Sequence, residues 1–377
     1  MHTPTINMSF GGKASAPSHP SSIPSLLPLL QQSPKGEDAY LIIKRLAKAA
    51  DRDAQLSPSD IRCLAHGQIV KLLVPHVKKC SRALARHNAQ PGAVLPKAPL
   101  AEVQCLQHCM RLLSAFFEGL RESKEGNVQA FFDTRMHAHL LSLFDLRPSD
   151  TRAFRLQLAA ICLFNKFGMH AQLLDYYNTH PSLFPKLCDI LKQKLLLTVD
   201  YMDDFSEAVS YVEFLSDSAS PLAPASQTIH SRIHLTRTAG IEPVAHAFAD
   251  GGLVDYFLSL LHPSAWAGDA RMRASHPTVE LLICLCTFAT FPPIAQRMCD
   301  AAAQQQDGTQ QLVALVLDYM MRGSQGHQSE ALNLLVALSS HSAEFKQAAV
   351  TPQLVTFMMD NAAKVGGVVR GDDVQLL

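Results

Sequence analysis

Cys105-Leu-Gln-His108-Cys109 is the tightest grouping of soft ligands in this sequence. Residues at i, i+3 and i+4 share one face of a helix, so two thiols and an imidazole at this spacing could reach one zinc ion. A structural zinc site takes four such ligands, and no second pair follows at finger-like spacing. The motif is therefore expected to be metal-free, with Cys105 and Cys109 facing a core and His108 near its edge. His137 and His139 form a weaker pair of the same kind. The other histidines are scattered (His170, His180, His230, His234, His327, His341). Scatter argues against one imidazole site and leaves only a diffuse change of charge near about pH 6 to 7.

Other reactive signatures are missing. No Gly-rich phosphate loop, G-x-S-x-G elbow or H-E-x-x-H pair occurs. The nine cysteines are odd in number and lie mostly in apolar runs (Cys162, Cys284, Cys286), as expected of small core residues in a reducing compartment. The chain is expected not to be an enzyme and to need no cofactor.

Charge is balanced overall, with 33 Lys and Arg against 33 Asp and Glu, so no long-range field draws a polyanion and nucleic-acid binding is disfavoured as the main role. Locally the balance breaks. Lys71, Lys78, Lys79, Arg82, Arg86 and Lys97 fall in a segment with no acidic residue between Asp60 and Glu102. Asp200, Asp203, Asp204, Glu207, Glu213 and Asp217 crowd another. Either run could meet a partner of opposite charge, or simply keep a helix face solvated. Lys78, Lys79 and Arg82 are taken as the candidate basic patch.

The elements that must carry these residues read as helices throughout. Hydrophobic residues are 47% and aromatics 7% of the chain, a Leu/Ala-rich helical profile. In residues 241–261, Ile241, Val244, Ala245 and Phe248 follow i, i+3, i+4, i+7, and Asp250-Gly251-Gly252 then turns a corner. Leu253, Val254, Phe257, Leu258, Leu260 and Leu261 next form a helix apolar on most sides, which must be covered on more than one of them. This unit recurs with a period of roughly 42 to 50 residues. Ile23 to Leu30 shares its apolar spacing with Phe184 to Leu191, and Gln311 to Val316 with Gln353 to Met358. By composition, His262 to His276 (with Trp266), Ala301 to Thr309 and Ser216 to Ser226 read as loops between units. Residues 1–20 are rich in Ser, Pro and Gly and read as disordered, and residues 366–377 as a flexible tail. No secretory leader or membrane-length apolar run is present, so an intracellular, cytoplasmic or nuclear protein is expected.

The order of short helix, Gly corner, Leu-Pro-x-Leu-x-x-Leu-Leu helix and longer helix resembles the armadillo repeat. Ala245 to Gly252 is similar to that family's first helix and corner. Ile23 to Leu30 and Phe184 to Leu191 are similar to its second helix, and Ala39 to Ala47 and Ala331 to Ser339 to its third. The HEAT repeat is a near alternative. The resemblance covers residues 21–365 and implies an all-α, right-handed superhelical α-solenoid of about six to seven repeats. It further implies that third helices line a concave groove where Asn side chains bond the backbone of an extended peptide and Trp forms pockets one turn earlier. On this sequence the Asn position falls on Arg45, Ala115, Asn165, Phe214, Thr287 and Ala337. The Trp position falls on Leu41, Arg111, Ile161, Ser210, Ile283 and Asn333. Only Asn165 keeps the family residue, so the usual peptide ladder is not expected.

The expected function is that of a non-catalytic adaptor or scaffold holding an extended or helical segment of a protein partner on the concave face, through Arg45, Arg111, Asn165, Thr287 and Asn333. An assembly-complex or chaperone-type subunit docking through its convex surface or ends is the alternative. A nucleic-acid-binding solenoid comes third, since such grooves, including those of solenoid DNA glycosylases, need a dense basic lining.

Overall fold

The computed structural model describes residues 22–32, 36–52, 56–88, 100–120, 124–146, 151–167, 176–177, 179–193, 202–217, 242–262, 265, 277–303 and 308–364. Among them every regular element is helical and none is a strand. In chain order these are α1 (Ile23–Gln32), α2 (Glu37–Arg52), α3 (Pro58–His66), α4 (Ile69–Asn88), α5 (Leu100–Gly119), α6 (Lys124–Asp133), α7 (Met136–Leu141) with a 3-10 turn at Ser142–Asp145, α8 (Thr151–Asn165) and α9 (Leu183–Leu191). They continue as α10 (Met202–Asp217), α11 (Glu242–Asp250), α12 (Leu253–Leu261), α13 (Thr278–Ala289), α14 (Pro292–Ala303), α15 (Gly308–Arg322), α16 (Gln325–His341), α17 (Ala343–Ala349) and α18 (Pro352–Lys364).

Three corners between consecutive helices are built alike. Gln68 (φ 53°) joins α3 to α4, Arg135 (φ 57°) joins α6 to α7, and Gly252 (φ 73°) joins α11 to α12. A left-handed residue reverses the chain within two residues and returns backbone bonds to the helix just ended: the Gln68 N–H donates to the Ala65 carbonyl, Arg135 to Phe132 and Gly252 to Ala249. Beside Gly252, Gly251 is needed for close approach, since a Cβ there would lie 2.5 Å from Cys188 Sγ on α9. The Gly-Gly corner read from residues 250–252 is therefore both a turn and a contact.

Six helices pack in succession: α2 on α5, α5 on α8, α8 on α10, α10 on α13 and α13 on α16. Each middle member has a neighbour on two sides. This explains why α8 buries Ala153, Phe154, Leu156, Leu158, Ala160, Ile161, Leu163 and Phe164 around most of its circumference. The Nε2 of its one buried amide, Gln157, donates to the Leu143 (3.2 Å) and Leu146 (2.8 Å) carbonyls, which ties α8 to the 3-10 turn, while its Oε1 is buried without a partner among the described residues. α12, expected to need cover on several sides, packs on α11, α13 and α14. One apolar cluster runs from Ile23 to Leu354.

Two loop expectations are corrected. Ala301–Ala303 continue α14, with Ala302 buried, and Gly308 and Thr309 open α15. Alanine is the best helix former, so the Ala run extends the helix rather than ending it. α10 also runs through Ser216, whose buried hydroxyl donates to the Val212 carbonyl at 2.8 Å, the back-bond that lets serine sit inside a helix. Residues 1–20 and 366–377 and, within the segments read as loops, 218–226, 263–264, 266–276 with Trp266, and 304–307 lie outside the described residues. Among the described residues no single helix is long and apolar enough to cross a membrane.

Candidate functional site

The succession of long helices carries a row of polar side chains along it. At its start the Tyr40 hydroxyl of α2 donates to Gln104 Oε1 of α5 at 3.1 Å, and the Tyr40 ring lies 6.2 Å from that of His108. At its centre Lys166, one residue past α8, reaches Glu207 of α10 at 2.8 Å and Glu118 of α5 at 3.4 Å. Burial works against the Lys166 charge, but the two carboxylates outweigh it and hold its pKa above the ordinary lysine value. Asn165 Nδ2 donates to the same Glu207 at 3.4 Å, and the Cys162 thiol to the Asp204 carbonyl at 3.2 Å. Burial raises the Asp204 carboxyl above its ordinary value, against the pull of Arg155 on α8 and Arg111 on α5. Further along, Glu213 of α10 accepts a long 3.5 Å bond from Thr287 of α13, the Cys286 thiol donates to the Glu330 carbonyl of α16 at 3.2 Å, and Asn333 Nδ2 donates to Glu330 Oε2 at 3.3 Å.

Charge is unevenly spread along this row. α10, α13 and α16 carry Asp203, Asp204, Glu207, Glu213, Asp217, Glu280 and Glu330 and no Lys or Arg. α8 carries Arg152 and Arg155 and no carboxylate. The sequence-derived contacts fall along the same row in different states. Arg45, Arg111 and Asn333 are exposed, and Asn165 is half-buried and engaged with Glu207. Thr287 departs from the expectation of a solvent-facing contact. It is buried, with its hydroxyl turned to Glu213, because α13 is covered by both α10 and α16. Arg111 and Asn165 converge on the Asp204 and Glu207 region, whereas Arg45 and Asn333 sit on the first and last members of the row. Lys166 was not among the contacts read from the sequence, since its two carboxylate partners, Glu118 and Glu207, lie on other helices far from it in the chain.

Lys78, Lys79 and Arg82 lie on α4, outside the row, and all three are exposed. Cys105 and Cys109 face the core and His108 is partly exposed, as the spacing indicated. The structure adds Cys80 of α4 to that pair. The neighbouring Cys105, with burial, pushes the Cys80 thiol far above its ordinary value, and Cys109, with burial, pushes Cys105 up against the opposing effect of Cys80. Such thiols are poor nucleophiles. His137 and His139 face different surroundings: His137 packs on Phe132 and Tyr176, while His139 feels Arg82 and Lys78. Among the described residues no group of three or more His, Cys, Asp or Glu is placed to hold a metal ion. A groove of about 480 Å³ lies between α15, α17 and the start of α18, lined by Val313, Leu317, Met321 and Ala348.

No family model and no curated protein matches this chain. Among solved structures, the crystal structure of an engineered protein is similar at a TM-score of 0.51 and 15% sequence identity, covering 85% of this chain and 97% of that one. At that identity the likeness is one of fold alone.

Proposed function

We propose that this chain is a right-handed superhelical α-solenoid of about six armadillo-like repeats, acting as a non-catalytic adaptor that holds a segment of a protein partner along the row formed by α2, α5, α8, α10, α13 and α16. The observation that carries this reading is the unbroken succession of those helices, each packed on the next. A stack of that kind is ordered before any partner arrives, so the partner segment bears most of the ordering cost on binding. Exposed Arg45, Arg111 and Asn333 supply contacts along its length. Cross-helix bonds such as Lys166 to Glu207 and Glu118 hold the surface rigid.

The alternative reading, a subunit of a larger assembly docking through its ends, is favoured by one specific feature. Met321, Val350, Val355 and Met359 are exposed near the last helices, Met359 by 66%, and apolar exposure of that kind marks contact surfaces. One experiment separates the two. A photo-crosslinking residue is placed at Arg45, Arg111 or Asn333, or instead at Val355 or Met359, in the full chain within its own cell extract. Crosslinks from all three row positions to one polypeptide support the adaptor, and crosslinks confined to the C-terminal positions overturn it. Small-angle scattering tests the superhelix, since a compact globular profile contradicts it.

A further inference from the structure

α4 arranges its charges unlike any other described helix. Lys71, Lys78, Lys79, Arg82 and Arg86 are all exposed, and α4 contains no Asp or Glu. At 3.6 residues per turn the five fall within an arc of roughly 100° and extend over about 22 Å of helix. The opposite face, with Val70, Leu73, Val77 and Leu84, is buried in the core, so the helix cannot rotate the cations away. Five cations on other elements, Lys166, Lys186, Lys192, Arg297 and Arg322, each hold a carboxylate. Among the described residues none of the five on α4 does; Arg86 Nε donates only to the Arg82 carbonyl. Their field is felt by the neighbouring element, since Arg82 and Lys78 add to burial in disfavouring the charged form of His139 on α7.

We propose that the exposed face of α4 is a second docking surface, for an acidic helix of a partner protein whose carboxylates recur every four residues. Lys78, Arg82 and Arg86 are each four residues apart, so their positions along the axis differ by about 6 Å, the same interval that separates carboxylates at i, i+4 and i+8 on a facing helix. Charge complementarity of this kind sets encounter rate and register. The other polyanions fit less well. An anionic membrane surface calls for apolar side chains to insert beside the cations, and the exposed uncharged residues here are Pro75 and Ala85. A nucleic acid calls for a broader basic surface or aromatic side chains for stacking, and the stripe is one helix wide with no aromatic residue. The proposal does not rest on the adaptor reading, because α4 lies outside the row formed by α2, α5, α8, α10, α13 and α16.

The test uses the full chain and a fluorescein-labelled helical peptide of about 20 residues with glutamate at every fourth position, followed by anisotropy. A scrambled peptide of the same composition, a duplex DNA of about 20 base pairs and phosphatidylserine vesicles are run beside it. The expected result is saturable binding of the ordered peptide that weakens about tenfold or more between 50 and 200 mM NaCl. Binding should weaken by at least tenfold in Lys78→Glu/Arg82→Glu/Arg86→Glu, by less in the matching triple Gln variant, and not at all in Lys346→Glu at the far end of the chain. Because all three positions are exposed, the melting temperature of the variants should stay near that of the parent, and the Gln variant keeps the comparison valid if the Glu variant does not fold. No binding of the ordered peptide at 50 mM NaCl, or equal affinity for the Glu and Gln variants and the parent, overturns the proposal. Equal binding of the scrambled peptide overturns the four-residue match. Tighter binding of the DNA or the vesicles overturns the choice of an acidic helix.

Discussion

Asp204 is a side chain whose chemistry is out of balance with its place. It is half-buried and its pKa is raised, because loss of water outweighs the attraction of Arg155 and Arg111. A raised folded pKa means that the folded state favours the protonated form. The stabilising contribution is complete below the unfolded value of 3.8 and is lost as pH rises through the folded value. Neutral pH therefore leaves a carboxylate that weakens the fold, and Asp204→Asn is expected to raise the melting temperature at pH 7. The gain should shrink toward zero as scans are repeated down to about pH 3.5. A gain independent of pH would show that packing, not charge, is responsible. Lys166 stands in contrast, since its two carboxylate partners more than compensate its burial. The nine cysteines behave as core side chains, seven of them buried and all free.

At the scale of elements the corner between α11 and α12 is a tightly constrained join. A Cβ on Gly251 would meet Cys188 Sγ of α9 at 2.5 Å, and Lys192 Nζ donates to the Gly251 carbonyl at 2.7 Å. Gly251→Ala is expected to cost about 1 to 3 kcal/mol in urea unfolding, the usual range for overpacking a tight contact. Cys188→Ala removes the obstructing sulfur, so the double variant should recover part of that loss. Additive losses in the two single variants would place the strain in the backbone rather than at the sulfur. Arg135, at the equivalent corner before α7, occupies the left-handed region with a non-glycine residue. Arg135→Gly is expected to be tolerated there, with the melting temperature changed by only a few degrees, since glycine reaches this backbone conformation at no steric cost.

At the scale of the whole molecule, α2, α5, α8, α10, α13 and α16 each pack on the next and one apolar core joins them, so stability should propagate from neighbour to neighbour. Leu187 is fully buried in α9. Leu187→Ala is expected to cost about 2 to 5 kcal/mol, the usual toll for a cavity in a core. Hydrogen exchange should accelerate most in α8 to α12 and least in α2 and α16. Uniform acceleration along the chain would indicate a single cooperative unit instead. A change below about 0.5 kcal/mol would contradict the burial itself.

Much of the architecture was legible because it is local. The apolar spacing of Leu253 to Leu261, the corner at Gly251-Gly252 and the shared pattern of Ile23 to Leu30 and Phe184 to Leu191 depend on residues within a few turns, and each became a helix or a corner where expected. The core-facing Cys105 and Cys109 followed from the same periodicity. What the sequence could not determine rests on contacts between helices far apart in the chain. Lys166 binds Glu118 and Glu207 only because α5, α8 and α10 lie side by side. Thr287 is buried because α10 and α16 both cover α13, a fact about neighbours that no register contains. The run from Lys71 to Arg86 was visible as a stretch without acids, but whether it meets counter-ions depends on which carboxylates folding brings near it. Local periodicity thus sets the helices and their buried faces. Which side chains remain available on the surface is a property of the packed whole, because burial and charge pairing are decided by neighbours in space.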